Sequence, residues 1–528
     1  MKFKGVGLES TLILIHRITP PMSFCFKYLF KTFTKTTTTI TRRITTTTKM
    51  IDNEQNKIAI IGAGLAGCAM AVLLAKQGFN NIDVFEKRPL DVSKNQQRAR
   101  SINLALSARG IATLQEAGVM EDTEKIAIPM KGRMIHTLEG ASNYQAYSSD
   151  TSKHLYSISR QLLNERLRTH AMQCRGLNFY FDKQIRNLDL KRGQFQSVDN
   201  ATGETLSHGA ATVIGADGAF SAVRQSMTKL DRQEYSQSFL EHGYKELSIP
   251  AGPNGTHLLE KNCLHIWPRR SFMMIALPNI DGSFTCTLFF AFDGEEEKEE
   301  SFAKLGNDPK KIDQFFRDFF PDAHKIMPTL VEDFIENPTS SLVTVKTSPW
   351  HVDGKAVLVG DAAHAIVPFY GQGMNAAFED CLDLYHCIKD FANKHEHHQD
   401  VTTGHDQVKI DTNLWKKAYQ LYQLHRKANS DAIAEMAVEN FYEMRDHVAD
   451  PIFLFKKKLE HLLEDTYPGR YISRYELISF SCVPYADAQR IGIINQQILS
   501  NLVNPNDLDL SKIDLKLADK LIKELLNK

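Results

Sequence analysis

Nowhere is the 528-residue chain apolar for long enough to cross a bilayer. The nearest approach, Leu12-Ile13-Leu14-Ile15, is broken at once by His16 and Arg17. Net charge is missing as well: Lys+Arg and Asp+Glu both number 63, which removes the electrostatic argument for nucleic acid as a partner. The 8 cysteines form no CxxC pair and follow no regular spacing. They read as reduced thiols of an intracellular protein, not as a disulfide framework or a zinc site. His395, His397 and His398 cluster without a second ligand group at suitable spacing, so that polar stretch reads as a solvated loop and no metal is expected. No internal repeat is visible. With 42% hydrophobic and 24% charged residues the chain is globular, and it is long enough for two or three structural units.

Acid is almost absent from the first 50 residues. Glu9 stands alone against Lys2, Lys4, Arg17, Lys27, Lys31, Lys35, Arg42, Arg43 and Lys49, amid threonine runs 36–39 and 45–48. Basic, hydroxyl-rich, acid-poor leaders resemble mitochondrial targeting segments, so residues 1–55 are expected to be a leader outside the fold. Met50 offers an alternative start just upstream of the first apolar strand.

What is present begins with glycine. Ile58-Ala-Ile-Ile-Gly-Ala-Gly-Leu-Ala-Gly-Cys68 reads as a strand, a tight turn and a helix, and the next apolar run, Asn81-Ile-Asp-Val-Phe-Glu86, ends in an acid. Gly62 permits the turn, Gly64 lets a pyrophosphate approach the backbone, and Gly67 lets helix and strand pack closely. The helix N-terminus offers free N–H groups to phosphate. Glu86 is placed to accept hydrogen bonds from a ribose 2′-hydroxyl and would repel a 2′-phosphate. The site therefore reads as one for FAD or NAD, not NADP.

Two further glycine motifs follow. Val213-Ile-Gly-Ala-Asp-Gly-Ala-Phe-Ser-Ala-Val-Arg224 is a strand, a turn and a short helix carrying Arg224. Gly360-Asp-Ala-Ala-His-Ala-Ile-Val-Pro-Phe-Tyr-Gly-Gln-Gly-Met-Asn375 follows the buried strand Val357-Leu-Val-Gly360 and leads into a helix reaching about Ile388. Asp361 is suited to grip ribityl hydroxyls. Met374 and Asn375 open a helix whose dipole would stabilise negative charge on a reduced flavin by about 1 kcal/mol. Between these motifs, alternating segments at 134–138 and 155–158 read as strands flanking a polar excursion with Tyr144 and Tyr147. Residues 239–288 are β-rich and suggest a second sheet. The acidic run 295–300 reads as a solvated face, and beyond Asn413 the periodicity is helical.

In this order the three motifs resemble the single-component FAD aromatic hydroxylases. The resemblance implies an α/β fold in which a Rossmann-like βαβ FAD-binding domain (56–235 and 341–400) interleaves with a substrate-domain β-sheet (236–340). A helical C-terminal region (401–528) follows. Seven segments narrow the likeness to the kynurenine-hydroxylating branch: 100–107, 128–136, 242–247, 264–269, 284–289, 378–382 and 440–445. That branch implies NADPH reduction of FAD, O2 addition at flavin C4a, and oxygen transfer converting L-kynurenine to 3-hydroxy-L-kynurenine, a step of tryptophan catabolism. The ring's own amino group activates it, so no catalytic side chain is expected. The same resemblance implies flavin contacts from Ala66, Phe85, Glu86, Lys87, Arg88, Ala105, Arg160, Ile185, Asp217, Asp361, Met374 and Asn375. Substrate contacts are implied for Arg133, Tyr147, Asn440 and Tyr475, with Arg133 suited to a bidentate grip on the α-carboxylate.

The chain departs from many members of that branch at its end. They carry an apolar membrane anchor, whereas 495–528 is charged and amphipathic. Any membrane association is therefore expected to be peripheral, with a mitochondrial address still implied. Other readings are a hydroxylase of another anionic aromatic, or a non-catalytic carrier of prenylated GTPases on a related fold. The carriers typically degrade the flavin motifs, and all three are intact here.

Overall fold

The computed structural model describes residues 56–90, 102–148, 150–294, 300–393, 411–443 and 450–526. The leader, Arg100 and Ser101, most of the acidic run, the His395–His398 cluster and Arg445 lie outside the described residues.

Three four-residue strands, Ile58–Ile61, Ile82–Phe85 and Thr212–Gly215, are buried at every position, as strands covered on both faces must be. They form the middle of a six-stranded sheet. Ile58–Ile61 pairs in parallel with both of the others, Leu177–Tyr180 and Ala356–Leu358 extend the parallel set, and His351–Val352 is an antiparallel edge. Chain segments from residue 58 to residue 358 thus end side by side. Ligands of such sheets lie at the carboxyl ends of the strands, where all three glycine motifs meet. Helix Leu65–Lys76 covers one face with an unbroken buried run from Gly67 to Leu74.

The second sheet has seven strands: Ser340–Ser348, Glu234–Ile249, Phe284–Ala291, Phe272–Pro278, Cys263–Arg269, Gly132–His136 and Ser142–Ala146. It reaches beyond 236–340, since two of its strands come from 132–146. The polar excursion expected around Tyr144 is itself the edge strand Ser142–Ala146. All five of its residues are exposed, so it carries no apolar alternation to reveal it, and its order comes from pairing with Gly132–His136. One face of this sheet packs Trp267, Phe272 and Phe290 against Phe315, Phe316, Phe320 and Phe334 from the helices at 309–336.

Strand alternation then decides what lies on each side of Gly132–His136. His136 stacks on Trp267 with ring centroids 4.1 Å apart and meets Asp322 at 2.8 Å on the helix-covered face. Arg133 consequently leaves from the other face.

The C-terminal region is helical as expected: Thr412–Tyr442, Pro451–Thr466, Arg474–Ser479, Tyr485–Leu502 and Leu515–Leu526. Ala518 and Ile522 of the last helix are buried against Phe455, Leu459 and Ile498, which accounts for its amphipathic pattern. Among the described residues no helix is long and apolar enough to cross a membrane.

A buried polar network binds these parts together. Asp380, on helix Gly373–Asn393, accepts hydrogen bonds from the Gly360 N–H at 3.0 Å and from Arg426 Nε at 2.8 Å, and it pairs with His364 Nε2. Glu379 bridges Arg426 and Arg109. Arg109 in turn donates to the carbonyls of Ile478, Ser481 and Val483. Burial alone would raise the Asp380 carboxyl, but His364 and Arg426 outweigh it and hold the group below its ordinary range.

Candidate active site

The first glycine turn distributes its three tasks as the spacing requires. Gly62 sits at φ +105°, a conformation that side chains rarely adopt. A Cβ on Gly67 would lie 1.8 Å from the Gly62 carbonyl oxygen, so helix and turn touch only because residue 67 is glycine. A Cβ on Gly64 would meet nothing within 4 Å. That open space lies at the N-cap of helix Leu65–Lys76, where no side chain caps the free N–H groups. Half-buried Ala66 lies in this first turn. The arrangement fits a pyrophosphate.

Beside it Glu86 is clamped at both oxygens, by the Ala63 N–H at 2.9 Å and the Arg88 N–H at 3.0 Å. Each oxygen keeps a second lone pair, in a fixed orientation, for a ribose hydroxyl. Phe85 is buried while Lys87 and Arg88 are exposed at the rim. Ile185 is buried on strand Lys183–Asp189, which starts against the Glu86 carbonyl.

The other two motifs close on the same region. Asp217 Oδ2 accepts from the Ala222 and Val223 N–H groups, at 2.7 and 3.3 Å, whereas its Oδ1 is buried without a hydrogen-bond partner. An unpartnered buried acceptor is costly unless a ligand hydroxyl completes it. Burial pushes the carboxyls of Asp217 and Asp361 up; Arg160, at the exposed start of helix Arg160–Gln173, opposes the effect at Asp361. Arg224 joins the two motifs by donating to the carbonyls of Ala362 at 2.8 Å and of Ala219.

The Asn375 side chain is held by three hydrogen bonds within the protein. Its Oδ1 accepts the Ser107 N–H at 2.9 Å, and its Nδ2 donates to the carbonyls of Ala105 and Gly371, both at 2.9 Å. The amide is spent on joining strand Asn103–Leu106 to the start of helix Gly373–Asn393. What remains for a flavin is the backbone of Met374 and Asn375 at that helix N-terminus.

Arg133 and Tyr147, from one β-hairpin, stand together with Tyr475 from the C-terminal region. The Arg133 guanidinium carbon lies 4.5 Å from the Tyr475 ring centroid and 5.5 Å from that of Tyr147, and the two rings stack at 5.6 Å. Met130, Leu155 and Leu277 supply apolar walls. Arg133 Nε and the Tyr147 hydroxyl are buried without hydrogen-bond partners of the protein. Desolvation works against the Arg133 charge, but the tyrosine oxygens around it prevail and raise its affinity for the proton; burial pushes the Tyr147 phenol up. A guanidinium held against aromatic faces, with its Nε shut from water, is suited to one aromatic ligand with one carboxylate.

Asn440 Nδ2 donates to the Phe369 carbonyl at 2.8 Å, steadying the segment before Gly373. Two aromatic neighbours escaped sequence reasoning. Tyr370 faces Tyr475 at 6.4 Å, and Phe480 lies 6.3 Å from Tyr147. Tyr370 could have been found, since it stands inside the third glycine motif. Phe480 had no local signal.

Comparison with known proteins places this geometry. Residues 55–400 match the family model described as FAD binding domain. The kynurenine 3-monooxygenase of Dictyostelium discoideum is 61% identical over 472 residues, covering 89% of this chain and 98% of the relative. The chain belongs to the kynurenine 3-monooxygenase family. The member from Myxococcus xanthus (strain DK1622) is 43% identical over 479 residues, covering 90% of this chain and 97% of its own. Solved structures share the fold at low identity. p-Nitrophenol 4-monooxygenase PnpA of Pseudomonas putida DLL-E4 aligns with TM-score 0.57 and 14% identity over 84% of this chain and 96% of its own. 2-Methyl-3-hydroxypyridine-5-carboxylic acid oxygenase aligns with TM-score 0.56 and 18% identity over 75% and 94%. The α/β architecture with an FAD-binding fold and a helical C-terminal region is therefore the family's own.

Two glycine variants separate cradle from fold. Gly64→Ala should leave the unfolding midpoint of the flavin-free protein unchanged and lower bound FAD, because its methyl enters only the open space. Gly67→Ala should lower both, at about 1–3 kcal/mol or more for the overpacking. Flavin absorbance per chain and denaturation of the flavin-free forms check this. Full FAD retention in Gly64→Ala would move the pyrophosphate elsewhere.

Proposed function

We propose that this chain hydroxylates L-kynurenine at ring carbon 3, as an FAD-dependent monooxygenase with NADPH and O2 as co-substrates. The observation that carries the reading is Arg133, partly exposed but with its Nε buried and unpartnered, set against Tyr147 and Tyr475 beside an intact flavin cradle. Bound FAD, reduced by NADPH, supplies the activated oxygen. The protein's part is recognition and exclusion of water. Arg133 grips the α-carboxylate, the tyrosine faces hold the aromatic ring, and Met130, Leu155 and Leu277 keep the pocket dry. The substrate's amino group activates its ring, which is why no acid, base or nucleophile is assigned. Glu86 and Asp217 hold the nucleotide and ribityl hydroxyls together with Asp361, and Asn440 supports the substrate side through the Phe369 loop.

The basic leader is proposed to carry a mitochondrial address, with membrane association peripheral. A form starting at Met50 should remain FAD-loaded and active but stay in the cytosol. If that form still fractionates with mitochondria, the address lies elsewhere.

For the substrate site, Arg133→Ala should raise the KM for L-kynurenine while flavin content stays normal. Losing a charge-assisted contact to a buried carboxylate costs about 2–4 kcal/mol, or roughly 30- to 1000-fold. Product assays with L-kynurenine against simple phenols and benzoates fix the substrate class. An unchanged KM would relocate the carboxylate site, and turnover of benzoates alone would favour the hydroxylase of another anionic aromatic.

A further inference from the structure

Away from the cradle, two helices bring three different metal-donor side chains together. Asp383 and Cys387 are one turn apart on helix Gly373–Asn393, so their side chains leave the same face. His425 reaches them from helix Thr412–Tyr442. Its Nδ1 lies 3.1 Å from Asp383 Oδ1 and 3.9 Å from Cys387 Sγ, and Cys387 Sγ lies 3.8 Å from Asp383 Oδ2. Among the described residues this is the one group of histidine, cysteine and carboxylate donors gathered so closely.

Those separations are near what one ion requires. Tetrahedral zinc at its ordinary bond lengths to S, N and O sets donor pairs about 3.3–3.6 Å apart. Shifts of a few tenths of an ångström at the ends of three side chains would close the set. The donor chemistry also selects the ion: one thiolate, one imidazole and one carboxylate suit zinc, whereas calcium and magnesium demand oxygen donors. Access is graded in the right way. Cys387 is buried, Asp383 is partly covered and the His425 side chain is 46% exposed, so an ion arrives from the His425 side.

We propose that Asp383, Cys387 and His425 bind one Zn2+, with the fourth position open to water and the Cys387 thiol proton released to solvent. The site ties the far half of helix Gly373–Asn393 to helix Thr412–Tyr442. It lies about 15–21 Å along the first helix from Gly373, at 1.5 Å per residue. It is thus a clamp on the helix whose N-terminus meets the cradle, and it does not depend on the identity of the substrate. Without metal the same three groups form a simple hydrogen-bonded trio, in which the His425–Asp383 bond needs no sulfur.

The test uses the full-length, flavin-loaded protein after chelator treatment, titrated with Zn2+ in competition with a chromophoric chelator. One ion per chain is expected. Cys387→Ser and His425→Ala should each weaken binding by at least the 10–100-fold that outer-shell changes around metal sites cost. Unchanged flavin absorbance checks that both variants fold, and His425, being exposed, is a mild substitution. Co2+ in place of Zn2+ should give tetrahedral ligand-field bands beyond the flavin absorption, absent in Cys387→Ser. Failure to compete with the chelator, or an affinity unchanged in either variant, would overturn the proposal.

Discussion

Asp380 is a carboxylate removed from water, and the arrangement of the site depends on how it is satisfied. A buried charge without partners costs several kcal/mol, so the residues that neutralise it cannot drift. They come from three places: the Gly360 turn, His364 just after Asp361, and Arg426 on the long C-terminal helix. Glu379 passes the constraint to Arg109, which fixes the carbonyls at 478–483. That segment adjoins Tyr475 and contains Phe480, two walls of the Arg133 pocket. The flavin cradle and the proposed substrate pocket are thus positioned by one ionic network.

The seven-stranded sheet makes the complementary division. Its two faces carry opposite chemistries because successive side chains of one strand point opposite ways. His136 joins an aromatic and carboxylate cluster under the helices, while Arg133 lies against two tyrosines with its Nε buried. A charge left in such a pocket without a hydrogen-bonded counter-ion favours an anionic ligand, in keeping with the carboxylate-binding role proposed for Arg133.

The glycine motifs were legible in the sequence because each glycine answers a local demand: a positive φ at Gly62, a contact at Gly67, open space at Gly64. Glu86 was legible for the same reason, being fixed by backbone groups within the motif and two residues on. Arg133 came from resemblance alone, since nothing in Gly132–His136 says which face is dry. Its neighbours Phe480 and Tyr370 enter through tertiary packing, from more than 200 residues away. Strand Ser142–Ala146 was hidden by its full exposure, and the internal work of the Asn375 amide by the distance to Ala105 and Ser107. The Asp383–Cys387–His425 cluster was invisible to ligand-spacing arguments because 38 residues separate its last two members.

The claim that cradle and pocket form one oxygenating site is tested most directly by a single turnover. The flavin-loaded enzyme is reduced with NADPH without oxygen, mixed with L-kynurenine, and then exposed to air. The account predicts bleaching of the flavin, followed by its recovery together with one 3-hydroxy-L-kynurenine per flavin. A flavin that NADPH does not bleach, or that recovers while releasing only peroxide and leaving kynurenine intact, would contradict it.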